Sequence, residues 1–169
     1  MSPHPTDNLM GQFPRNQYIL RLLRSFQALG VRLRPGQVRE QWLYHPEERI
    51  LDVWTPDLSR QSLSFLVVIL AHELGHVLDF DEKPQELERI RHHHWSQVPW
   101  EIERSAFVRG FRILQALQIP VSLEAYLQMI EEPMATQVGA ALRAGEGEAF
   151  PPGLGLPGLA LPRTTRAAG

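Results

Sequence analysis

An α+β domain is predicted, with a small sheet in its first third and a helical second half. Three observations carry this. Apolar residues recur at helical spacing before residue 30 and again from about residue 59 to residue 80. Short β-rich runs lie between those stretches, set off by Pro and Gly turn signals. Beyond residue 99 the helical period returns three times, each time behind a proline.

The elements follow in order. Residues 1–14 hold three prolines and little apolar content, which reads as a flexible N-terminal arm. Asn16 to Leu29 is an amphipathic helix, with Ile19, Leu20, Leu22, Leu23, Phe26 and Leu29 on the helical period and Gly30 as its stop. Val31 to Arg34 is a short strand broken by Pro35-Gly36. Gln41 to Tyr44 and Arg49 to Trp54 form a hairpin around His45-Pro46-Glu47-Glu48. Ser59 is the expected N-cap of a long helix that runs to about Phe80 and stops at Asp81-Glu82-Lys83-Pro84. A polar stretch, Gln85 to Gln97, contains His92-His93-His94. Pro99 heads a helix over Trp100 to Leu117. Shorter helices are expected over Leu123 to Ile130 and Met134 to Arg143. The domain therefore spans 15–144, and residues 145–169, rich in Gly and Pro, read as a disordered tail.

Composition narrows the chemistry. A chain of 169 residues is long enough for one domain with a core. The net charge of −2 gives no basic field to draw it onto nucleic acid, and direct nucleic-acid binding is not expected. Arg21, Arg24, Arg32, Arg34 and Arg39 read as a solvated surface. Cysteine is absent, which excludes disulfides, thiolate metal sites and cysteine catalysis. Any metal must be held by histidine and carboxylate. Residues 1–13 lack the basic and apolar regions of a signal peptide, and the longest apolar run, Phe65 to Ala71, is too short to cross a bilayer. The expected setting is cytoplasmic, with no membrane partner.

His72-Glu73-Leu74-Gly75-His76 spells H-E-x-x-H. On a helix, residues four apart share a face, so both imidazoles reach one ion. Glu73 projects beside them, where it can take a proton from a metal-bound water. Leu63, Leu66, Val67, Leu70, Leu74 and Val77 make this a buried helix. Gly75 in mid-helix costs about 1 kcal/mol relative to Ala, so it implies close packing or space beside the metal.

Two histidines need a third protein ligand. Glu103 is favoured, because the small Ala106 one turn on lets its helix approach closely. Glu101 is the near rival, and since the two lie two residues apart only one can ligate. Glu82 stands at the spacing of H-E-x-x-H-x-x-G-x-x-H, but that pattern needs a Gly and then a His or Asp where this chain has Asp79 and Glu82, and the His92–His94 triplet reads first as a solvated loop. Asp79, three residues after His76, either orients a ligand or ends the helix in solvent. Tyr44, Tyr126, His94 and Arg104 are candidates for stabilising an oxyanion. The strand Arg49–Trp54 offers an edge for an extended peptide.

The stretch Leu66 to Leu78 around H-E-L-G-H resembles the active-site helix of the ImmA/IrrE-type metallopeptidases, which are gluzincins. Glu101-Ile102-Glu103-Arg104-Ser105-Ala106-Phe107 is similar to their second motif. Arg104 and Val108 depart from it, standing where that motif often has alanines. The resemblance covers roughly residues 15–117, and only H-E-L-G-H is specific. It implies a small gluzincin-like domain, with an N-terminal helix and short sheet packed on the motif helix, and a Zn2+ ion on His72, His76 and a downstream Glu. It further implies a zinc-dependent metallopeptidase acting on a protein or peptide substrate, with Glu73 as general base. The alternatives are a non-catalytic zinc-containing regulatory module and a protein whose main act is to bind another protein.

Overall fold

A computed structural model describes residues 9–148. It is a mixed α+β structure. In chain order its elements are α1 (Gln17–Ala28), β1 (Arg32–Pro35), β2 (Leu43–His45), β3 (Ile50–Val53), the one-turn α2 (Asp57–Arg60), α3 (Leu63–Glu82), α4 (Pro84–Ile90), a 3-10 turn (Trp95–Gln97), α5 (Trp100–Ala116), α6 (Leu123–Gln128) and α7 (Met134–Arg143).

Helix α1 starts where Asn16 accepts backbone N–H bonds from Tyr18 and Ile19, and it ends at Gly30, whose φ of 71° suits glycine. Its buried face is Ile19, Leu22, Leu23 and Phe26. The sheet order is β1-β3-β2, with β1 parallel and β2 antiparallel to β3. The expected hairpin is present, pairing Leu43 with Asp52, Tyr44 with Leu51 and His45 with Ile50. Its second strand lies in the centre of the sheet, so β2 is the free edge on that side. Arg49 ties the hairpin turn to two helices. Its guanidinium donates to the Leu29 carbonyl at 2.6 Å, at the C-terminus of α1, and to Asp81 at 2.6 Å.

Helix α3 runs through the core. By length and composition it is apolar enough to cross a membrane, but 78% of its most apolar window is buried inside the protein. A helix that is apolar on all sides belongs in a core. It packs against α1 on one side and α5 on another. Its N-cap is Ser62, whose hydroxyl accepts from the Phe65 N–H at 3.1 Å. The sequence expectation of Ser59 fails because Gln61 turns extended after α2, so the helix restarts three residues later.

Three further expectations change. Leu9 and Phe13 are buried in the core, so the chain packs from Leu9 onward instead of forming a flexible arm to residue 14. Part of the polar stretch 85–97 is helical, because Pro84 sits at the first turn of α4. Residues 145–148 are held on α5, where Arg104 pairs with the Glu146 carboxylate at 3.0 Å and Arg112 donates to the Glu146 carbonyl. The remaining expected loose segments, 1–8 and 149–169, lie outside the described residues.

Candidate metal centre

Helices α3 and α5 run antiparallel and touch through small residues. A Cβ on Gly75 would overlap the Ala106 carbonyl oxygen. One turn away, a Cβ on Gly110 would lie 3.0 Å from the Ala71 carbonyl oxygen and 2.9 Å from the Tyr126 hydroxyl. The two backbones therefore approach as closely as glycine allows, and the close-packing reading of Gly75 holds. The contact fixes a register in which Glu103 lies opposite His72 and His76, and Phe107, one turn on, lies opposite His72.

His72 Nε2 is 3.1 Å from Glu103 Oε2, and His76 Nε2 is 3.0 Å from Glu103 Oε1. The ligand atoms of the three residues all lie within 4.8 Å of one another. A tetrahedral ion with bonds of roughly 2.0–2.1 Å would space its donors by roughly 3.3 Å. The two histidine–Glu103 distances are close to that spacing, and the three residues could hold a metal ion. Both histidine Nδ1 atoms are buried and lack a hydrogen-bond partner among the described residues. Metal-bound histidines usually donate that second N–H, so here ring orientation depends on packing.

The charges are tightly coupled. Burial drives the His72 imidazole below its ordinary range, and the neighbouring His76 adds to that against the pull of Glu103. Burial also opposes charge on His76, but the Glu103 carboxylate outweighs it and pushes His76 up to about 9. Burial would likewise raise Glu103; the charge on His76 and the two imidazole contacts instead hold it far below the carboxylate range. Glu73 is pushed up to about 8 by burial, with Glu103 adding to the shift and His76 resisting it. Positive charge beside Glu103 is therefore favoured, and Glu73 is poised near neutrality.

These residues form the floor of a cleft of about 570 Å³. One wall is β2 with its turn, including Trp42, Tyr44 and Glu47. The other runs from Leu87 to Val98 and includes His93 and His94. Arg91 spans the two walls, with Nε 3.0 Å from Glu47 Oε1.

The other residues singled out in the sequence separate clearly. Glu101 is exposed and lines a different cavity, between α3, α4 and α5. Asp79 is not among the three donors; it pairs with Arg109, whose Nε lies 2.8 Å from Oδ1 without hydrogen-bond alignment, and its charge acts on both histidines. Glu82 also pairs with Arg109. Tyr126 is buried beneath α5 and donates its hydroxyl to the Phe107 carbonyl, and Arg104 faces Glu146, so neither enters the cleft. Tyr44 and His94 do line it. The Tyr44 hydroxyl is buried with no hydrogen-bond partner among the described residues, and burial pushes it up to about 12. The free edge beside the cleft belongs to β2, and the expectation of an edge at 49–54 is corrected by the pairing of β3 on both sides. Phe107 and the Glu47–Arg91 bridge were not foreseen. For Phe107 the signal was its position four residues after Glu103, on the same helical face.

No family model, curated protein or solved structure matches this chain.

Proposed function

We propose that this chain is a zinc-dependent metallopeptidase that hydrolyses a peptide bond in a protein substrate in the cytoplasm, as the resemblance to ImmA/IrrE-type gluzincins implies. The observation that carries the reading is the convergence of His72, His76 and Glu103 at the floor of an open cleft, with Glu73 beside them. Those three residues would hold Zn2+, with Glu103 as the third ligand. Zinc, when bound, supplies Lewis acidity to a water and to the scissile carbonyl.

Everything else falls to the chain. Glu73 takes the proton of the attacking water and returns it to the nitrogen of the leaving amine. A carboxyl poised near neutrality suits both halves of that transfer. The oxyanion needs a donor, and the Tyr44 hydroxyl and His94 imidazole are the candidates that line the cleft. An extended peptide can lie against the edge of β2, where, among the described residues, Leu43 to His45 pair with β3 on their other side only.

A structural metal site in a non-catalytic module needs no buried carboxylate at the ion's open side. Glu73 is 5% exposed and makes no ion pair among the described residues, which favours the enzyme. The test is hydrolysis of a denatured protein substrate by zinc-loaded wild type and Glu73→Gln. The expected result is a loss of about 10²–10⁴-fold with zinc retained. Equal activity in both would sink the role of Glu73, and no activity in either would favour the binding module.

A further inference from the structure

We infer that Phe107 is the positioning residue for the His72 imidazole, doing through ring stacking what a hydrogen bond to Nδ1 ordinarily does. This role presupposes the metal centre proposed above.

His72 must present Nε2 to the Glu103 side while its ring is free to rotate about the terminal torsion, which is broad for histidine. A metal-ligating histidine is usually fixed by donating its other N–H to a carbonyl or carboxylate. His72 has no such partner, since its Nδ1 is buried and unpaired among the described residues. The Phe107 ring instead lies flat against the imidazole, with centroids 3.8 Å apart and planes 22° from parallel. Turning the imidazole out of its Nε2-inward orientation would drive its edge into that ring.

Phe107 is itself held in place. Its carbonyl accepts from the Tyr126 hydroxyl at 2.5 Å, and Tyr126 is fully buried. Gly110, one turn further, leaves room for that hydroxyl. The same α5 turn therefore carries Glu103, which faces both histidines, and Phe107, which braces one of them. His76 is braced less closely: the His72 ring meets it edge-on at 4.6 Å, and the Phe80 ring, parallel to within 13°, has its centroid 6.0 Å away, so His76 depends more on Glu103.

The experiment compares wild type, Phe107→Met and Phe107→Tyr. Methionine keeps the volume and apolar character of the site but removes the flat ring, and such swaps usually leave a fold intact. Tyrosine keeps the ring. Zinc affinity is measured by competition with a chromogenic chelator, and the visible absorption of the cobalt-substituted protein reports ligand geometry. Melting temperature without metal reports the fold. The expected result is zinc affinity about tenfold or more weaker in Phe107→Met, an altered cobalt spectrum, and recovery of both in Phe107→Tyr. Wild-type affinity and spectrum in Phe107→Met would overturn the inference, as would equal weakening in Phe107→Met and Phe107→Tyr. If wild type itself fails to bind zinc, the metal-centre reading falls first and takes this role with it.

Discussion

The floor of the cleft and its outer wall are held together by different means. In the floor, α3 and α5 meet backbone to backbone at Gly75 and Ala106 and again at Ala71 and Gly110, and both helices bury long apolar faces. In the outer wall, no described side chain from 84 to 98 is buried. That wall is tied across the cleft by the exposed Arg91–Glu47 pair. The three residues that could hold an ion stand on the closely packed helix pair, while the wall beside them carries little packing energy. Low local stability is where moving parts of a site are expected.

The largest effect should come from disturbing the floor. Gly75→Ala puts a Cβ into the Ala106 carbonyl. It should cost about 2 kcal/mol, within the usual range for overpacking, and lower the melting temperature. An unchanged melting temperature would mean the two helices can part without penalty, and the contrast between floor and wall would fail.

Next in size is a pH effect on the floor's charges. His76, pushed up to about 9, must lose its proton before Nε2 can bind a metal. Because the raised group binds metal only when deprotonated, affinity should rise with pH below about 9 and level off above it. The slope expected is about tenfold per pH unit between pH 6 and 8. Calorimetric titration with zinc at several pH values checks this, and a flat profile over that interval would contradict the protonated His76–Glu103 pair.

The smallest effect is in the wall. Exposed ion pairs contribute little, so Glu47→Ala or Arg91→Ala should change stability by about 0.5 kcal/mol or less. Either change should nonetheless speed amide hydrogen exchange in residues 84–98 while leaving α3 and α5 protected. Equal exchange across wall and floor in the wild type would erase the distinction.

The floor was also the more legible region. H-E-x-x-H declares its geometry by spacing alone, because four residues return a helix to the same face. Gly75 hinted at close packing because a mid-helix Gly costs about 1 kcal/mol relative to Ala, and Ala106 allowed a close approach by being small. The choice of Glu103 over Glu101 rests on which face of α5 meets α3, and the sequence ranks it only through Ala106. The wall resisted reading because α4 has no apolar stripe: Pro84 starts it, but its helicity is not marked by burial. Strand order was hidden for another reason. A hairpin is local, but the parallel pairing of β1 with β3 joins segments separated by β2, and nothing in Arg32–Pro35 names its partner. The capping serine was ambiguous because Ser59 and Ser62 both precede the apolar run, and only the extended Gln61 decides between them.

The most direct test is the zinc content of the purified protein, measured for wild type, Glu103→Ala and Glu101→Ala. A His72–His76–Glu103 centre should hold about one zinc per chain, lost in Glu103→Ala and kept in Glu101→Ala. Zinc absent from the wild type, or lost through Glu101 and kept without Glu103, would contradict it.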